Sequence, residues 1–171
     1  TIRFDPDERL VHSGTGGLTW HQSYSRGRNF QTARAALPDA TRKAAMDNYL
    51  ANPVDGASPS AIASALTRLA RGTLLSPEST EYLLGVMSRT RSGPRRLKAG
   101  LPPGWQFLHK TGTGQDFKGM TAGYNDIGIA TAPDGTRYAI VVMLGSTTSP
   151  IPARMALMQA VSGAVAEYHG R

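Results

Sequence analysis

Apolar side chains recur every three or four residues in two stretches near the middle of the chain, Ile62, Ala65, Leu66 and Leu69 in the first and Tyr82, Leu83, Val86 and Met87 in the second. That period is one face of an α-helix. Each stripe is preceded by a serine and a proline, Ser58-Pro59 and Ser76-Pro77. The hydroxyl caps the first free N–H groups, and proline fits the first helical position, where its missing N–H costs nothing. Gly72 ends the first stripe, so the spacing predicts two antiparallel helices. Downstream the period changes to two: Trp105, Phe107 and His109 alternate with Gln106, Leu108 and Lys110 as in a strand with two distinct faces. Two further strands are predicted over Thr121–Thr131 and Thr136–Leu144, joined by Ala132-Pro133-Asp134-Gly135, whose Asp-Gly pair favours a tight hairpin turn. Ile127, Ile129, Ile140, Val142 and Leu144 are expected on one side of that meander. A last helix, Pro152–Tyr168, would lay Met155, Met158, Val161, Ala164 and Val165 against the sheet, the methionines as core filler.

The first fifty residues carry less pattern. Ser13–Gly17 and Ser23–Arg28 are loop-like, with Trp20, Tyr24 and Phe30 as anchors, and a short helix is expected from Asp39 to Leu50 after Pro38. Gly14-x-Gly16-Gly17 is not a dinucleotide fingerprint, since no strand precedes it and no helix follows it.

The 171 residues, 40% hydrophobic, suffice for one domain or most of one. No apolar run approaches the ~18 residues of a membrane span, and Thr1-Ile2-Arg3-Phe4 is not a signal peptide. The absence of cysteine excludes disulfides and cysteine-based zinc frameworks. A net charge of +7 raises the question of nucleic acid. The basic cluster Arg89, Arg91, Arg95, Arg96 and Lys98 lacks the interleaved aromatic residues of a stacking platform, and reads as a solvated face.

The candidate chemistry sits at Lys110-Thr111-Gly112. Acyl transfer to an anionic substrate needs a fixed positive charge, a hydroxyl for a carboxylate, and an N–H aimed at the oxygen that becomes negative. Lys110, Thr111 and the Thr113 amide supply those in order, while Gly112 lets a ligand lie along the strand. Lys-Thr-Gly is one of three short elements shared by serine enzymes that open β-lactams or cut D-alanyl peptides, the others being Ser-x-x-Lys and Ser-Asp-Asn.

The motifs in order, a helix pair, a basic linker, Gly100–Trp105, His109–Thr113, Asn125–Ile129, Pro133-Asp134-Gly135 and an amphipathic last helix, resemble the C-terminal part of class A serine β-lactamases from about Pro53 to Arg171. The resemblance implies an α+β fold, an antiparallel sheet flanked by helices that is incomplete as a 171-residue chain. Residues 1–52 would be an omega-loop-like region with a long insertion, and 53–171 the helix pair, three-strand meander and terminal helix. It further implies catalytic roles for Lys110 and for Thr113, whose amide is half of an oxyanion hole. Substrate contacts fall to Thr111, Gly112, Thr113 and Arg96, the last as a bidentate carboxylate ligand. His109 is expected as a packed strand residue. Asp55 resembles the aspartate that pins the omega loop, with a plain turn aspartate as the alternative.

This sequence also departs from the family. The residues three before Lys43, Lys98, Lys110 and Lys118 are Ala40, Arg95, Phe107 and Gln115, so no Ser-x-x-Lys occurs, and neither Ser-x-Asn nor Tyr-x-Asn is present. The nucleophile is expected from an N-terminal half of the same fold, on the same or a second chain, with this chain inactive alone. Thr1–Asp5 resembles the run entering the omega loop and places Glu8 near the deacylating glutamate, whereas counting back from Asp55 lands on Arg42. The expected function is a periplasmic or secreted serine hydrolase that opens β-lactams through an acyl-enzyme, its ligand a β-lactam or D-alanyl-peptide-like small molecule. It needs no metal or organic cofactor and engages no nucleic acid. A D,D-peptidase or esterase of the same superfamily, and a non-catalytic peptidoglycan- or peptide-binding homologue, remain as alternatives.

Overall fold

The computed structural model describes residues 17–53 and 55–171. After a 3₁₀ turn at Gln22–Ser25 come helices α1 (Asn29–Ala35), α2 (Asp39–Ala51), α3 (Pro59–Ala70) and α4 (Pro77–Ser88), a second 3₁₀ turn at Leu97–Gly100, strands β1 (Gln106–Thr113), β2 (Asp116–Phe117), β3 (Met120–Thr121), β4 (Tyr124–Thr131) and β5 (Arg137–Leu144), and helix α5 (Ile151–His169). These form two compact units, one of residues up to Gly56 with Gln115–Ala122, the other of Ala57–Gly114 with Gly123–Arg171.

In the first unit, α2 begins at Asp39 as the sequence predicts. The aromatic anchors pack edge to face, with ring centroids 5.9 Å apart for Trp20 and Tyr24 and 5.8 Å for Tyr24 and Phe30. The short helix α1 was not foreseen: Asn29–Ala35 carries one buried apolar residue, Phe30, too few to show a period. Phe117 and Met120 of the β2–β3 hairpin line a cavity of about 540 Å³ with Met46 and Leu50 of α2.

The second unit is a three-stranded antiparallel sheet in the order β1–β4–β5 with helices on both faces. Ser58 and Ser76 cap α3 and α4 through their hydroxyls, accepting from Ala61 N (3.2 Å) and Ser79 N (3.3 Å). Leu66 and Leu69 of α3 and Met87 of α4 pack on Ile129, with Leu108, Ile127, Ala139 and Val141 around them. On the other face Leu97, Phe107, Tyr124, Ala130, Ile140 and Met158 form a second core, joined by Val142, Leu144, Val161 and Val165. Burying a side chain such as Met158 contributes about 2 kcal/mol.

This double-sided packing corrects the expectation for the meander. Ile127 pairs with Val141 and Gly128 with Ile140, so Ile127 and Ile129 face α3 and α4 while Ile140, Val142 and Leu144 face α5. A strand buried on both faces is apolar throughout, which hides which side each residue takes. Tyr82 (73% exposed) and Val86 are not on the buried face of α4, and Ala164 is exposed on α5. Arg154 and Ser162 take core positions there, Ser162 by donating to Leu97 O (2.7 Å). The predicted strand from Thr121 is broken at Gly123 (φ +91°), and the residues before it belong to the first unit. The hairpin turn forms as expected, with Gly135 at φ +88° and its amide on Ala132 O at 2.9 Å.

Candidate active site

Strand β1 brings its two kinds of side chain to opposite sides. Phe107, His109 and Thr111 point inward and are buried, while Lys110 is exposed and its Nζ donates to the carbonyl of Thr111 (2.5 Å). The ammonium therefore stays at the surface of the second unit. The Thr111 hydroxyl is held by Ser92 Oγ at 2.6 Å, and the next turn of the linker is tied to the strand by Thr90 Oγ1 donating to His109 O (2.6 Å). Gly112 pairs with Asn125, and a side chain added at Gly112 would come no closer than 3.7 Å to that residue. Thr113 is exposed and pairs with Tyr124.

Arg96 is only 9% exposed, unlike the basic residues around it. Its Nη1 donates to Gly112 O (2.9 Å) and Asn125 O (2.6 Å), its Nη2 to Thr113 Oγ1 (2.7 Å), and its guanidinium carbon lies 3.8 Å from the centre of the Tyr124 ring. The planar fork thus clamps the ends of β1 and β4 and stacks on an aromatic face. Gly93 makes room for it: at φ +63° an added Cβ would sit 2.6 Å from Thr111 Cγ2 and 2.9 Å from Arg96 Cδ.

Beneath this lies a buried pair that sequence reasoning missed in part. His109 (2% exposed) is the packed strand residue expected, and its Nδ1 lies 2.8 Å from Asp126 Oδ1, the carboxylate accepting. Asp126 Oδ2 accepts from Leu97 N at 3.2 Å. The signal for Asp126 was its lone charge in an otherwise uncharged strand. Asn125 Oδ1 has no hydrogen-bond partner, alone among buried side-chain oxygens and nitrogens of the described residues.

Lys110, Thr111, Gly112, Thr113 and Arg96 are therefore brought together at one end of the sheet. Glu8 lies outside the described residues. In the first unit Asp55 is exposed and accepts from the Tyr49 hydroxyl at 2.8 Å. Burial and that carboxylate push the phenol up to about 12.

The sequence profile of the beta-lactamase enzyme family matches residues 19–169, and the chain belongs to that family. Over 89 residues, 52% of this chain and 27% of the relative, it is 36% identical to a beta-lactamase of Mycobacterium tuberculosis. Among solved structures, TLA-1 extended-spectrum beta-lactamase is 35% identical with a TM-score of 0.63, covering 67% of this chain and 42% of its own. PBP-A, 26% identical with a TM-score of 0.56, covers 83% of this chain and 55% of its own. The matched part is about a quarter of the curated relative and about two fifths of TLA-1. The fold is α+β and beta-lactamase-like.

Proposed function

We propose that this chain forms one wall of the acylation cleft of a serine hydrolase that opens β-lactams through an acyl-enzyme. The observation that carries the reading is the exposed Lys110 ammonium beside Thr111, Gly112 and Thr113, on a strand end braced by Arg96. Lys110 stabilises the negative charge of the substrate carboxylate and of the developing oxyanion, Thr111 and Arg96 assist at the carboxylate, and the Thr113 amide polarises the carbonyl. The serine attacks the lactam carbonyl, the C–N bond breaks with a proton passing to nitrogen, and water clears the ester. Because the chain has no Ser-x-x-Lys, that serine comes from another segment of the same fold, in a protein working in the periplasm or outside the cell.

Nitrocefin hydrolysis separates the parts. The 171-residue chain alone should show none, and the longer protein should turn over. In that protein Lys110→Ala should lower kcat/KM by about 10²–10³. Hydrolysis by the isolated chain, or an unaffected Lys110→Ala variant, would refute the assignment.

A D,D-peptidase is favoured by one observation. Counting from Asp55, the place of the deacylating carboxylate is taken by Arg42 of α2, which cannot act as a base and instead hydrogen-bonds Asp116 O. A variant of PBP-A is described as an acyl-enzyme complex with penicillin G. Mass spectrometry of the longer protein after penicillin decides: a persistent adduct marks the peptidase, rapid release marks the lactamase with Glu8 as base.

A further inference from the structure

The first unit carries a second concentration of positive charge. Arg34 of α1 donates from Nη2 to the carbonyl oxygen of Asp116 at 2.7 Å, and Arg42 of α2 donates from Nη2 to the same oxygen at 3.3 Å. One acceptor thus holds two cations side by side. Both residues are half-buried, and no carboxylate lies within ion-pair distance of either among the described residues.

Their basic neighbours are arranged otherwise. Lys43 is paired with Asp47 and Lys118 with Asp39, each at 2.6 Å. One oxygen of the Asp116 carboxylate, Oδ1, accepts from the Thr121 hydroxyl. Burial, then the charge of Arg42, lower the pKa of Arg34, with the more modest pull of Asp116 opposing them. Arg42 is oriented by the Phe117 ring, whose centre lies 4.8 Å from its guanidinium carbon. Each guanidinium has five N–H donors, and the shared carbonyl takes one from each. Like charges pressed together, with planar donor forks left over, form a cradle that an anion with two or more oxygens completes.

We propose that Arg34 and Arg42 form a binding site for a small oxyanion, a carboxylate or a phosphate, on the first unit. The site goes beyond the acyl-transfer reading and does not depend on it, because holding an anion requires no nucleophile.

The test is a titration of the ¹⁵N-labelled 171-residue chain with inorganic phosphate in one arm and succinate in the other, ionic strength held constant with sodium chloride. Arginine Nε–Hε signals are followed by NMR. Saturable shifts at Arg34 and Arg42 support the site, and the tighter arm tells whether a tetrahedral or a planar oxyanion is its class. Arg34→Gln and Arg42→Gln should each weaken binding by about tenfold or more, and Lys43→Gln should leave it unchanged. Circular dichroism checks that each variant keeps its fold. Should a glutamine variant fail to fold, the wild-type titration decides by whether those two signals move. The proposal is overturned if neither anion shifts the two arginines beyond the chloride control, or if folded glutamine variants bind as tightly as wild type.

Discussion

At the scale of single residues, Arg96 is a support for the ends of β1 and β4. Its guanidinium satisfies two backbone carbonyls and a threonine hydroxyl, so truncation leaves Gly112 O and Asn125 O without their donor. Arg96→Ala should therefore destabilise the second unit by about 2–3 kcal/mol, and Arg96→Lys should recover only part, since an ammonium cannot span the same acceptors. Urea denaturation midpoints of the two variants check both statements. Tyr49 offers a test of sign. Its pKa is raised to about 12 in the folded chain, above the ordinary 10.0, by burial and by Asp55. The stabilisation is fully present below the unfolded pKa and is lost as pH rises through the folded one. The stability difference between wild type and Tyr49→Phe should shrink between about pH 10 and pH 12, as read from thermal melts. The candidate residues around Lys110 were legible because their chemistry is written in a short run. Asp126 was harder, since its partner His109 is seventeen positions away in the chain.

At the scale of elements, the helices were easier to read than the sheet. The Ser-Pro starts of α3 and α4 are local signals, with cap and proline adjacent, and both helices begin where the sequence places them. The sides of β4 and β5 were not legible, because helices cover both faces and alternation disappears. Tyr82 and Val86 misled in another way. They fit the period of α4, yet the residues of α4 that pack in the core under the sheet are Leu83, Leu84 and Met87. Met158, fully buried between α5 and the sheet, supplies the matching test: Met158→Ala should cost about 3 kcal/mol, measured by chemical denaturation. Gly128 gives a second. An added Cβ would meet the Leu108 carbonyl and lie 2.8 Å from His109 Cβ, so Gly128→Ala should disturb the β1–β4 pairing, seen as lost amide protection in both strands.

At the scale of the whole molecule, the membership of Gln115–Ala122 in the first unit was not legible. Thr121 reads as the start of a long strand, but Gln115–Ala122 form a hairpin that packs with α2 in the first unit. Nothing local in Gln115–Ala122 announces that allegiance, which is set by contacts with residues some seventy to eighty positions earlier, such as Arg34 and Arg42. The family was legible because its motifs occur in a fixed order along the second unit.

The carboxylate of Asp126 reaches one way to the ring of His109 in β1 and the other way to the amide of Leu97, next to Arg96. Neither connection can open without stranding a polar group in a dry interior. Exchange of the Leu97 amide with deuterium should therefore keep the same slow pace as the amides around Lys110, so that the cationic rim of the sheet opens to solvent as one cooperative block.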